Sequence, residues 1–185
     1  MIDVNQLRKG TTFLEDGQIW KVNSYSHHKP GRGAATIRVH VRNMRTGATR
    51  EMTFTSGGRV QNIQVENRQV QYLYADDEFL TFMDMETYEQ PQMRRDVFGD
   101  DMLFLKENTE LILSTYESEI IDYELPTSVE MQVTEAEPGY AGDTANNPTK
   151  KVTVETGLEV TVPIFVNVGD VIRIKTEDAS YMTRV

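Results

Sequence analysis

Cysteine is absent from the 185 residues, which removes disulfides, thiolate metal sites and cysteine nucleophiles together and makes a reducing compartment the simplest setting. Long apolar runs are missing too. No stretch approaches the length of a membrane-spanning helix, and the opening MIDVNQLRKG has no apolar signal core, so the expectation is a cytoplasmic protein with no membrane partner. Histidine is scarce. His27, His28 and His40 lie close together in one basic region with no G-x-S-x-G elbow, which leaves a nucleophilic triad without its parts. Adjacent residues on a strand face opposite ways, so His27 and His28 make a poor metal pair. Asp76-Asp77-Glu78 and Asp100-Asp101 lack calcium-loop spacing and read as a turn and a helix start. Gly31-Arg32-Gly33 lacks the later glycine and the Gly-Lys-Ser/Thr ending of a phosphate-binding loop. The expectation is a protein that is not an enzyme, with no catalytic residue, no metal and no cofactor.

What is present is an uneven distribution of charge. The whole chain carries a formal −10. Residues 1–64 hold ten Lys/Arg and four Asp/Glu, a balance of +6, whereas residues 65–127 hold four and sixteen, a balance of −12. Residues 128–185 hold five and nine, a balance of −4. A basic head on an acidic body suggests one end that meets phosphate and a remainder kept soluble and away from it.

The local pattern is β throughout. Asp16-Gly17 and Gly47 mark hairpin turns in the first third, and Asp76-Asp77 marks another inside VQYLYADDEFLTFMDMETYEQ. A short helix-compatible piece follows near Asp100 to Lys106, then ELILSTYESEIIDYELP with a break at Pro126. The last third reads as strands around a loop from Ala141 to Lys151. Short strands with turn signals at near-even spacing predict three small barrels, with boundaries near residues 64 and 127. Units of about sixty residues sit close to the lower limit for an independent core, so some of their surfaces should rest on one another. Phe79, Phe82, Met83 and Met85 are assigned to core or barrel-interface packing.

HHKPGRGAATIRV supplies the candidate site. Pro30 fixes its own φ, and Gly31 and Gly33 permit backbone conformations closed to other residues, so Lys29-Pro30-Gly31-Arg32-Gly33 reads as a hairpin tip. In the strand behind it Ile37, Val39 and Val41 alternate with Arg38, His40 and Arg42, which makes one side of the support basic.

Four blocks carry a specific resemblance: KPGRGAA, YLYADDEFLTFMDMETYEQ, GDTANNPTKKVTVETGLEVTVPIFVNVGDVIRIKT and the final YMTRV. In this order and spacing they resemble the elongation factor P family of bacteria, nearly end to end. The resemblance implies an all-β fold in which an SH3-like (KOW-type) barrel, residues 1–64, precedes two OB-fold barrels, residues 65–127 and 128–185, in an L-shaped, tRNA-like arrangement. It also implies a monomeric translation factor that binds the 70S ribosome between the peptidyl and exit sites and stimulates peptide bonds at consecutive prolines by positioning the CCA end of peptidyl-tRNA.

By the same resemblance Arg32 occupies the tip position, which some relatives extend with rhamnose through an arginine rhamnosyltransferase. Arg38, His40 and Arg42 would face tRNA backbone. Gly142, Asp143 and Thr144 match the loop directed at the exit-site codon, although Asn146-Asn147-Pro148 departs from the commoner continuation. Tyr181 and Arg184 match the terminal Tyr-x-x-Arg that contacts the small subunit and the anticodon stem in relatives. The nearest alternative is the elongation-factor-P-like paralogue, which typically lacks the Lys-Pro-Gly lead and the Gly-Asp-Thr loop. A general OB-fold RNA-binding protein would want a basic OB face with exposed aromatics, and the OB-like thirds here are acidic.

Overall fold

The computed structural model describes residues 1–139 and 148–185. The chain forms two compact units, Met1–Asn67 with Leu113–Asp122 and Arg68–Ile112 with Tyr123–Val185. Its strands are β1 (Ile2–Asp3), β2 (Thr12–Glu15), β3 (Gln18–His28), β4 (Thr36–Asn43), β5 (Thr49–Thr55), β6 (Arg59–Asn62), β7 (Glu66–Ala75), β8 (Phe79–Asp84), β9 (Gln92–Arg94), β10 (Glu110–Tyr116), β11 (Glu119–Glu124), β12 (Ser128–Ala136), β13 (Thr149–Val154), β14 (Glu159–Pro163), β15 (Val171–Lys175) and β16 (Ser180–Arg184). They build three sheets, each from consecutive strands, in the orders β1-β6-β2-β3-β4-β5, β11-β10-β7-β8-β9 and β14-β13-β12-β15-β16. The first two curl into nearly closed barrels. In the third, β14 and β16 come from opposite ends of the order and lie against each other.

Period-two patterning explains these strands. On β4 the inward Ile37, Val39 and Val41 are fully buried while Arg38, His40 and Arg42 are exposed, and the inward set packs with Val4, Leu7, Phe13, Trp20, Val22, Met52 and Val60. Turn chemistry sets the register. Asp16 and Gly17 both take positive φ, 52° and 72°, as the two-residue turn from β2 to β3 requires. Glu117 and Ser118 take φ of 48° and 68° between β10 and β11 without any glycine, a conformation that costs roughly 1–2 kcal/mol per residue and that the surrounding contacts must offset.

Those contacts lie within the first unit. Arg45 grips Glu119 with two parallel bonds, Nε to Oε1 and Nη2 to Oε2, both 2.9 Å. Lys21 Nζ reaches Asp122 Oδ2 at 3.1 Å. Between the pairs Ile19, Met44 and Ile121 form an apolar cluster, bordered by Leu14, Ile63, Val65 and Tyr116. The carboxyl of Glu119 sits below its ordinary value, chiefly through the Arg45 hydrogen bond.

One expectation is sharpened and two need correction. The helix-compatible piece is a single α-turn, α1 (Arg95–Phe98), continued as a 3-10 helix over Gly99–Phe104. It behaves as a plug. Phe98 stacks on Tyr123 with centroids 3.9 Å apart, and Phe104 joins the core of the third sheet with Met131, Val160 and Ile172. Strand β13 begins at Thr149, before the expected end of the loop at Lys151, because Lys151 pairs across to Thr161 and gains ladder bonds that a loop would forgo. Met85 stands at the exposed start of the loop after β8 and lies outside the buried core, whereas Phe82 is fully buried.

Candidate functional site

The β3–β4 hairpin is built as an arm. Its ladder runs from Trp20↔Asn43 to His28↔Thr36, with one irregularity between Val22 and Ser24, so strand pairing holds the chain to the edge of the tip. Beyond His28 the loop spans residues 29–35, and Lys29, Gly31, Arg32, Gly33 and Ala34 are all exposed. At its base the Ser56 amide donates to the Ala35 carbonyl at 2.8 Å, tying the return path to β5. Arg32 forms no hydrogen bond or ion pair among the described residues. Its guanidinium is therefore exposed as a cation that no described residue neutralises, with a planar fork of donors.

The two tip glycines differ. Gly33 has φ of 111°, which side chains rarely adopt, whereas Gly31 has ordinary φ, and a Cβ at either would meet nothing within 4 Å. The sequence-based expectation that both supply special backbone geometry holds only for Gly33. At Gly31 the missing side chain makes the tip thin without being required by its backbone.

Behind the tip, the outer face of β4 carries Arg38, His40 and Arg42 in one row. Cross-strand register decides what each meets. Arg38 lies between Ser26 and Thr53, and Arg42 between Lys21 and Thr49. His40 lies between Ser24 and Glu51, with Nε2 3.4 Å from Glu51 Oε2. Sequence reasoning missed Glu51, an acid set into a basic face, because the signal is a register that only strand pairing reveals. Lys21 directly opposite Arg42 would be repulsive, and the Asp122 carboxylate at 3.1 Å offsets it. Two arginines thus remain as outward cations on the row, without an ion-pair partner among the described residues.

Tyr181 and Arg184 belong to the second unit. Tyr181 is half-buried and packs on the core of the third sheet. Arg184 Nη1 lies 3.6 Å from Asp170 Oδ2, and its guanidinium stands 5.3 Å over the exposed ring of Phe165. Asp170 is itself fixed by the Asn167 amide, which donates to Oδ2 at 2.9 Å. Gly142, Asp143 and Thr144 lie outside the described residues.

No helix among the described residues is long and apolar enough to cross a membrane. No group of three or more His, Cys, Asp and Glu among them could hold a metal.

Comparison with known proteins adds two kinds of finding. Residues 3–60 match the elongation factor P KOW-like domain, residues 65–123 the elongation factor P OB domain and residues 129–184 the elongation factor P C-terminal domain. Among solved structures, eukaryotic translation initiation factor 5A from Methanococcus jannaschii is similar in fold, at 21% identity and a TM-score of 0.54, over 68% of this chain and 90% of that one. A translation initiation factor eif-5a family protein from Naegleria fowleri matches at 14% identity and a TM-score of 0.47, over 67% and 96%. The three matched segments follow one another with short gaps from residue 3 to residue 184, in the order of the three sheets. With a KOW-like barrel followed by two OB-type barrels, the chain belongs to the elongation factor P family, whose members are ribosome-associated translation elongation factors and not enzymes.

Proposed function

We propose that this chain, acting as a cytoplasmic monomer, binds the ribosome between the peptidyl and exit sites and accelerates peptide-bond formation at consecutive prolines. The observation that carries the reading is the unneutralised Arg32 at the apex of an exposed loop, backed by the outward row of Arg38, His40 and Arg42. Proline reacts slowly because its ring and secondary amine restrict the approach geometry. A factor that holds the CCA end of peptidyl-tRNA in line supplies rate by orientation alone. A rescue of ten- to a hundredfold asks for only about 1.4 to 3 kcal/mol, within reach of a few positioned contacts.

In this reading the row on β4 follows tRNA phosphates while Arg32 reaches toward the reacting ends. Phosphate contacts fix register and orientation, and the tip supplies what they cannot. Arg32 is open enough to accept a rhamnose from an arginine rhamnosyltransferase, which would lengthen the tip. Tyr181 and Arg184, with Gly142, Asp143 and Thr144, would meet the small subunit, the anticodon stem and the exit-site codon. The −12 balance of residues 65–127 argues against a general OB-fold RNA-binding protein.

The test is purified translation of a Pro-Pro-Pro message with and without the protein, alongside a message lacking prolines. Faster synthesis of the first only is expected. Equal rates with and without the factor, in modified and unmodified forms alike, would sink the proposal.

A further inference from the structure

The loop from β8 to β9 presents a side chain that neither the core nor the arginine tip explains. Tyr88 has φ of 61°, in the left-handed region, and is 71% exposed. Glycine or asparagine would take that conformation at less cost, and a bulky aromatic there is an outlier. Burial does not offset the strain. The ring makes no aromatic, cation–π or hydrogen-bond contact among the described residues.

The backbone beneath it is held from several sides. Asp84 is 3% exposed, and its carboxylate accepts the amides of Glu86 at 2.8 Å and Thr87 at 3.0 Å. The Tyr88 amide donates to the Asp84 carbonyl at 2.9 Å, and the Asp84 amide to the Glu89 carbonyl at 2.8 Å. Arg68 Nη1 stands 3.6 Å from Asp84 Oδ2 and 3.4 Å from Glu89 Oε2. An exposed residue kept in a costly conformation by an over-determined frame points to function at that residue.

The chemistry around the ring selects the partner. Glu86 is exposed, with a carboxylate unpaired among the described residues, and Glu89 is largely exposed one residue beyond Tyr88. The surrounding segment carries the −12 balance, which repels phosphate. Glu86 and Glu89 flank Tyr88 in the chain, Glu86 without an ion pair among the described residues and Glu89 already shared with Arg68. A phenol beside an open carboxylate suits a lysine or an arginine, through cation–π attraction and charge-assisted hydrogen bonds. We infer that Tyr88, with Glu86 and Glu89, is a docking point for a lysine- or arginine-rich protein segment of the ribosome, separate from the arginine tip. The inference rests on the ribosome association of the family but not on the proline chemistry.

The experiment places p-benzoylphenylalanine at position 88 of the full chain, binds it to purified ribosomes, collects the sedimented complex, irradiates it and identifies adducts by mass spectrometry. The expected adduct is a basic protein segment, with a yield reduced about fivefold or more by Glu86→Lys. Adducts to RNA alone, or none from factor that has sedimented, would overturn the docking point. Wild-type factor that fails to sediment in parallel would instead overturn the ribosome association on which it stands. A second variant guards against a purely structural role. Tyr88→Asn relieves the backbone, so its thermal midpoint should stay level or rise while its ribosome affinity falls about three- to tenfold. A midpoint lowered by several degrees would assign Tyr88 to the fold.

Discussion

The tip after β3 and the loop after β8 both join antiparallel strands, and they control an exposed side chain in opposite ways. Around Arg32 the paired strands do the positioning, and Lys29–Gly33 make no side-chain hydrogen bond among the described residues. Around Tyr88 a buried carboxylate, two amides and an arginine fix the loop itself. The difference teaches that a cation at a thin apex needs only a straight ladder behind it. An aromatic held against its backbone preference needs an anchor inside the barrel.

Breaking the first arrangement should give the largest change. Arg32→Ala removes the tip charge without touching a ladder bond or a core contact, so urea unfolding and ribosome co-sedimentation should be unaltered. Rescue on a Pro-Pro-Pro reporter should fall about ten- to a hundredfold, equivalent to about 1.4 to 3 kcal/mol. Unchanged rescue would remove the tip from the mechanism.

The second arrangement should break through its anchor. Asp84→Ala leaves the Glu86 and Thr87 amides without their acceptor and should lower stability in urea by about 1–3 kcal/mol. The carboxyl of Asp84 is held below its ordinary value, first by the Thr87 amide and then by that of Glu86. A depressed carboxyl stabilises fully above its unfolded value of about 3.9, and that contribution disappears as pH falls through the lower folded value. Wild type should therefore lose stability below about pH 4 more steeply than Asp84→Asn, as followed by circular dichroism. Parallel acid profiles would show that this carboxylate contributes nothing through its charge.

Two smaller effects sharpen the contrast. Gly33→Ala forces a side chain into φ of 111°, at a cost of roughly 1–3 kcal/mol in local geometry, and should reduce rescue several-fold. Gly31→Ala should remain within about twofold of wild type, because its backbone is ordinary and its Cβ would be unobstructed. Equal losses would mean that thinness, not backbone conformation, governs the tip. Smallest of all, Glu119→Gln should cost about 1 kcal/mol or less in urea, since the Arg45 pair is part-exposed, and added salt should shrink the difference further.

Much of this was legible from residue order. Alternation alone identified the inward Ile37, Val39 and Val41 and the outward Arg38, His40 and Arg42. Asp16-Gly17 announced its turn because one of its residues is the glycine that such turns favour. The Glu117-Ser118 turn carried no such signal, since its positive φ values are sustained by contacts from residues far earlier in the chain. Gly31 and Gly33 looked alike in sequence, and only the backbone path separated them. Tyr88 was hidden for the same reason. Within TFMDMETYEQ nothing distinguishes an aromatic bound for the core from one held outside it.

By itself the sequence determined the all-β class, the uneven charge and the place of the cationic apex, because period-two burial, ionisable side chains and turn-forming residues act over a few neighbours. Tertiary structure alone decided that Glu51 faces His40, that Asp122 meets Lys21 and that Asp84 is buried beneath a strained tyrosine. Those outcomes depend on strand register and on pairings between distant residues, and a shift of one position would have turned each of these side chains to the other face.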